Sequence, residues 1–215
     1  IDGIEIFNGN PRHDSQNRLA AAFATRHTLR TIAGTDVHRK GDAGAVGLLV
    51  PRDALTPKGF AAWLRATPHP RIRYQEPPVN GIRYVAGAIP GERMLEALYA
   101  DAGWTSYTEA MRESVQGIQA SLGVVSAFDD TALVGFARAV GDGHTVVLVQ
   151  DILVLGAYQG RGIGKALMRR LLAPFDSVRQ VVMLGDDSPR TREFCRACGL
   201  MPFAGFECAG YLRLR

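Results

Sequence analysis

Residues 151 to 172, DILVLGAYQGRGIGKALMRRLL, carry an apolar strand into a glycine-rich turn and the turn straight into an amphipathic helix. Gly160, Gly162 and Gly164 have no Cβ, so the backbone there can take dihedrals closed to other residues and bring its N–H groups against a ligand. The first turn of the following helix has N–H groups without internal acceptors. These, with the partial positive charge of the helix end, face the turn. The stretch predicts a cradle for a phosphate. It is not a Walker loop, because Gln159 stands where the first glycine belongs and Ala166 where the hydroxyl belongs. Nor is it the dinucleotide fingerprint Gly-x-Gly-x-x-Gly, since Lys165 or Leu167 falls in the third glycine slot.

What remains, Gln159-Gly160-Arg161-Gly162-Ile163-Gly164, resembles the Gln/Arg-x-x-Gly-x-Gly/Ala signature of the GNAT N-acetyltransferase superfamily, where this turn holds the pyrophosphate of acetyl-coenzyme A. The resemblance implies an α/β chain whose residues 82–215 form a GNAT fold, a mixed, mostly antiparallel central sheet flanked by helices. It implies acetyl-CoA as cosubstrate. In the family the strand before the turn pairs with the pantetheine arm, which carries over onto Leu153, Val154 and Leu155, whose amides would also polarise the thioester oxygen. Arg161 and Lys165 are placed to add charge-assisted contacts to the phosphates.

At 215 residues the chain can build one large or two small domains. Its 47% apolar and 21% charged residues exclude a disordered or fibrous class. No run approaches the roughly 18 to 20 apolar residues of a membrane span, and no basic-then-apolar leader opens the sequence. A net charge of +4 suits an anionic ligand, but the basic residues are scattered, so neither nucleic acid nor a membrane is an expected partner. Three cysteines, Cys195, Cys198 and Cys208, make no secreted disulfide framework and lack a fourth zinc ligand. A cytoplasmic location is expected.

Ile1, Ile4, Ile6 and Phe7 already form a strand pattern. An alanine-rich helix over 14–30, capped by Asp14 or Ser15, and a strand over 28–33 follow. EIFNG at 5–9, this helix, and Gly34-Thr35-Asp36-Val37-His38 look like the C-terminal portion of a PHP-type metal-dependent phosphoesterase, a partial βαβα barrel piece over 1–67. There the Asp and His of the last motif are metal ligands, which carries over onto Asp36 and His38 and onto nothing else. The other ligand motifs are absent, so no metal site is expected. A helix over 53–66 with Phe60, Trp63 and Leu64 on one face ends the segment. A barrel fragment exposes strand edges, so it is expected to pack against the transferase domain or a second chain, as in a homodimer. Residues 68–81, rich in proline, read as a linker holding the domain boundary.

Beyond it the patterns predict a strand over 82–89, helices over 92–102 and 108–122, and a hairpin of 123–128 and 132–140. A long strand over 144–155 follows, apolar on both faces, then a helix over 162–173, a strand over 178–184 and a helix over 189–198 capped by Ser188 and ended by Gly199. Segments 201–206 and 210–214 would close the sheet.

Acetyl transfer to an amine needs a held thioester, an aligned neutral amine, donors for the oxyanion and a proton for the thiolate. Asp151, a carboxylate on an apolar strand, is the sharpest candidate for the base, directly or through water; the alternative is a hydrogen-bonded carboxylate fixing a loop. His144, next to the Gly141-Asp142-Gly143 turn, is the weaker candidate. Phe194-Cys195-Arg196-Ala197-Cys198-Gly199-Leu200 resembles the family's Phe-Tyr-x-x-x-Gly-Phe, with Cys195 in place of the tyrosine that protonates the thiolate. Cys195, Tyr158, Tyr211 or water could supply that proton, and core packing is the other reading of Cys195. Trp104 and Tyr107 fall where the superfamily lines its acceptor side. The expected function is acetyl transfer from acetyl-CoA to a small-molecule amine by direct transfer in a ternary complex. The alternatives are a non-catalytic acetyl-CoA sensor and remnant phosphoesterase activity in 1–67.

Overall fold

The computed structural model describes residues 4–8, 20, 23–24, 26–27, 29–34, 46–67, 70, 72–75, 79–206, 208–211 and 213. Strand β1 (Ile4–Asn8) pairs in parallel with β2 (Thr31–Gly34), and residues 20, 23, 24 and 26 between them are helical. Asp36 and His38 lie outside the described residues. Helix α1 (Pro57–Ala66) starts at Thr56, whose hydroxyl accepts the Gly59 N–H at 3.1 Å, with Pro57 fitting a first turn that needs no donor.

The main sheet has seven strands in sequential order: β3 (Val46–Leu48), β4 (Ile72–Gln75), β5 (Ile82–Ala86), β6 (Gly123–Asp129), β7 (Ala132–Gly141), β8 (Val146–Val154) and β9 (Gln180–Met183). All neighbours are antiparallel except β8 and β9, which are parallel. The expected linker therefore contains a strand: β4 joins β3 to β5, and the sheet crosses the boundary placed within 68–81. The four prolines of that stretch, Pro68, Pro70, Pro77 and Pro78, fall before and after β4 in the sequence and not within it. Asn80 and Gly81, both at positive φ, turn the chain between Val79 and Ile82, an Asn-Gly hairpin signal.

Helices cover both faces. Against one lie α2 (Glu92–Asp101), α3 (Thr105–Glu109) and α4 (Met111–Gln119). Leu95, Leu98, Tyr99 and Ile118, each at most 1% exposed, pack there on Phe136 and Leu153. Against the other lies α5 (Ile163–Leu172), whose Ile163, Leu167, Met168 and Leu171 pack on Val134, Val147 and Val149, with α6 (Pro189–Ala197) beside it. Each such side chain contributes about 1.5–3 kcal/mol on burial. The helix expected over 108–122 is broken at Ala110, so Tyr107 belongs to the separate short α3. Ser188 caps α6 by accepting the Thr191 N–H at 3.1 Å, and Gly199 follows it at φ 82°.

Among the described residues, the segments 201–206 and 210–214 expected to close the sheet contribute no strand. Residues Phe203–Phe206 form a 3₁₀ turn, and the described residues from 208 on are in no strand. Pro202 lacks a ladder donor and Gly205 weakens any strand it interrupts. Among the described residues no helix is long and apolar enough to cross a membrane.

Candidate active site

The last pair between β8 and β9 is Val149 with Met183, whereas β8 stays paired to β7 as far as Val154 with Gly135. Beyond Val149 one edge of β8 is thus without a strand partner among the described residues, and the two parallel strands fork. The Leu155 N–H donates to the Val134 carbonyl at 3.0 Å, so it faces β7. Backbone groups alternate sides along a strand, which turns Leu153 toward β7 too and leaves Ile152 and Val154 toward the fork. The Gln159 amide donates to the Val154 carbonyl at 2.9 Å from that side. Of Leu153, Val154 and Leu155, then, only Val154 presents its main chain to the open edge. Ile152 joins it, and only the hydrogen-bond register reveals that.

Past the fork the chain makes the predicted turn. Gly160 and Gly162 have φ near 77° and 78°, and a Cβ on either would meet only open space, so the cradle is empty of protein. Gly162 begins α5 without any side-chain cap, which leaves the first-turn N–H groups, starting at Ile163, facing the turn. Gly164 has a different role from the other two: a Cβ there would sit 3.2 Å from Phe194, so its absence lets α6 lie close to α5. Arg161 is exposed. Its guanidinium lies 4.8 Å above the Tyr158 ring and donates to the Ala157 carbonyl, while the Tyr158 hydroxyl is tied to Asp129 at 2.8 Å. Lys165 is exposed beside a cleft of about 570 Å³ that continues from Gly162 past Arg169 to Cys198.

The β7–β8 register slips between Arg138 and Ala139, which pair with Asp151 and Val149, so Gln150 is an extra residue on β8. A bulge of this kind re-aims the side chains after it. Val147 and Val149 pack toward α5, whereas Gln150, Asp151 and Leu153 meet residues of the α2–α4 face. The alternation expected of a strand apolar on both faces is broken there. Asp151, 1% exposed, accepts from Tyr99 at 2.7 Å, from Tyr107 at 3.1 Å and from the guanidinium of Arg138, itself 8% exposed. Burial, and then the negative charge of Asp151, push the Tyr99 hydroxyl above its usual range. Burial opposes the charge of Arg138, and Asp151 more than offsets it. Asp151, the expected base, is therefore a buried carboxylate with three donors in place.

Tyr107 stacks on Tyr99 with ring centroids 4.7 Å apart, and Trp104 lies 5.5 Å from Tyr107. Both are half-buried at the edge of the core. Cys195 is a half-buried free thiol on α6, where burial and then the charge of Asp186 push its pKa up. Cys198 is likewise free, and Cys208 is exposed. Of the other candidates, His144 is exposed, Tyr158 is bonded to Asp129, and Tyr211 is 95% exposed.

Residues 92–200 match the acetyltransferase (GNAT) family profile. A solved GNAT family acetyltransferase from Streptococcus pneumoniae is 31% identical, covering 62% of this chain and 98% of its own, with a TM-score of 0.54. A protein of unknown function from meticillin-resistant Staphylococcus aureus is 24% identical over 62% of this chain and 99% of its own, with a TM-score of 0.52. The enzyme AAC(6')-Iy, solved with the bisubstrate analogue CoA-S-monomethyl-acetylneamine, is 20% identical over 62% of this chain and 98% of its own, with a TM-score of 0.50. No curated protein matches the chain in sequence. The matching profile begins at residue 92 and leaves the N-terminal segment unassigned.

Proposed function

The chain belongs to the acetyltransferase (GNAT) family, and we propose that it transfers an acetyl group from acetyl-CoA to the amine of a small-molecule acceptor, directly, in a ternary complex. The observation that carries this reading is the fork of β8 from β9 immediately before an uncapped helix start. An extended pantetheine arm could add to the open edge at Ile152 and Val154, and a diphosphate could take the N–H groups of residues 160–164. Gln159 and Arg190, bonded to each other, stand at this entrance, with Arg161 and Lys165 as the nearby charges. The neighbour AAC(6')-Iy takes an analogue joining CoA to acetylneamine, which favours a small amine and a ternary complex here.

Acetyl-CoA supplies the activated thioester; the chain aligns it, shields it and handles protons. In this reading Cys195 returns a proton to the departing thiolate. Its raised pKa keeps it protonated at neutral pH, as a general acid must be. Trp104 and Tyr107 wall the acceptor side. In this reading Asp151 is held by three donors and does not act as a direct base, and the amine would enter neutral. The chain is proposed to work in the cytoplasm.

Thiol release from acetyl-CoA across an amine panel, with calorimetric binding of CoA, tests the reading. Turnover with at least one amine, falling on the order of 10²-fold or more in Cys195→Ala and recovering in Cys195→Tyr, is expected. Binding without turnover would favour a sensor domain, a second reading motivated by the occupied Asp151. No binding at all would overturn both.

A further inference from the structure

Two of the three buried charged side chains among the described residues, Arg138 and Asp151, meet at the β8 bulge. Stability does not account for them, because replacing a buried ion pair by apolar residues of similar volume is often neutral or stabilising. What the pair does hold is a phenol. Tyr107 has one hydroxyl hydrogen and two lone pairs. The hydrogen goes to Asp151 Oδ1, and one lone pair receives the Gln150 side-chain amide at 3.1 Å. One lone pair is left over. Tyr107 and Gln150 are both half-buried, and Gln150 is the first residue of β8 beyond its last pairing with β9. The bulge and the fork coincide.

We propose that Asp151, together with Arg138 and Gln150, is a positioning residue that makes the Tyr107 hydroxyl a pure hydrogen-bond acceptor for an N–H of the acceptor amine at the mouth of the fork. The inference rests on the acetyltransferase reading and deepens it by giving the acceptor side its selectivity. With its only hydrogen spent on Asp151, Tyr107 favours groups that donate and offers nothing to groups that only accept. Asp151 takes up no proton in the reaction.

Initial rates with the best amine of the panel test this in the full chain. Tyr107→Phe removes the lone pair and its bonds to Asp151 and Gln150, while leaving the Arg138 and Tyr99 bonds to Asp151 in place. Its KM for the amine is expected to rise about tenfold, the loss of one hydrogen bond, with the KM for acetyl-CoA unchanged and the protein still folded, its melting temperature lowered by the donor lost to Asp151. In Asp151→Asn the same KM should rise while the pH–rate profile keeps its position and kcat stays within about threefold, well short of the loss of a general base. If that variant fails to fold, Tyr107→Phe carries the test alone. An unchanged amine KM in Tyr107→Phe overturns the inference. So does an Asp151→Asn enzyme that melts normally but loses the acid limb of its pH profile, since Asp151 would then be the base. Wild-type protein that releases no thiol with any amine sinks the acetyltransferase reading as well, whereas a wild type that turns over beside an indistinguishable Tyr107→Phe sinks only this inference.

Discussion

Strand β8 handles charge in two places a few residues apart, and in opposite ways. At the bulge, the carboxylate of Asp151 has drawn in two phenols and a guanidinium until its oxygens are engaged and solvent is excluded. Past the end of the strand, the turn at 160–162 and the start of α5 present N–H groups to space that no side chain fills. At the first place the protein itself supplies three donors, and at the second the N–H groups have no side-chain acceptor. An unusual charge on a strand marks a ligand site only where its hydrogen bonds are unfinished; where they are finished, it marks a part that holds something else in place.

The largest expected effect breaks the finished side of this contrast. Arg138→Met leaves Asp151 buried and uncompensated and should lower stability by about 3–5 kcal/mol in urea denaturation. Arg138→Met/Asp151→Leu should recover much of that loss; a double variant as unstable as the single one would show that the ion pair is not the issue. On the open side, Gly162→Asp brings a like charge into the cradle while keeping a residue type that tolerates left-handed backbone. CoA affinity should fall about 10- to 100-fold by calorimetry, the worth of a charge-assisted contact or two, with a modestly lowered melting temperature from the left-handed backbone at φ 78°. Equal affinity would place the diphosphate elsewhere.

The smallest effect sharpens the contrast with a carboxylate that is engaged but exposed. Asp142 accepts from the Thr145 hydroxyl and from the N–H groups of His144, Val146 and Thr145, which hold its pKa well below the usual range. A depressed carboxylate contributes stability above its unfolded pKa near 4 and loses it as the pH falls toward the folded value. Asp186 and Asp187 are depressed as well, so stability should decline on the acid side. Asp142→Asn keeps an acceptor but cannot titrate. Its small deficit in urea midpoint should shrink as the pH drops below about 4; a deficit constant from pH 3 to 7 would remove Asp142 from the acid dependence.

Much of this molecule was legible in its sequence because the signals were local. The glycines of the turn, the 3.6-residue apolar spacing of α2 and α5, and Ser188 three residues before Thr191 each fix geometry within one turn of chain. What escaped depended on partners far along the chain. Strand β4 is short and set among prolines, and becomes a strand only by pairing with β3 and β5. The bulge at Gln150 exists only in register with β7, and it sends Asp151 to Tyr99 and Tyr107 instead of into the fork. The commitment of the Leu155 N–H to Val134 is another product of that pairing. The place of the glycine turn and the helix start after it was readable; the edge atoms of β8 and the hydrogen bonds of the buried carboxylate were not.

A crystal structure of the protein with CoA addresses the central claim most directly. The account predicts the diphosphate within hydrogen-bonding distance of the N–H groups of residues 160–164, the pantetheine arm along Ile152 and Val154, and the Asp151 bonds to Arg138, Tyr99 and Tyr107 intact. A cradle empty at saturating CoA, or a ligand that displaces Arg138 from Asp151, would contradict it.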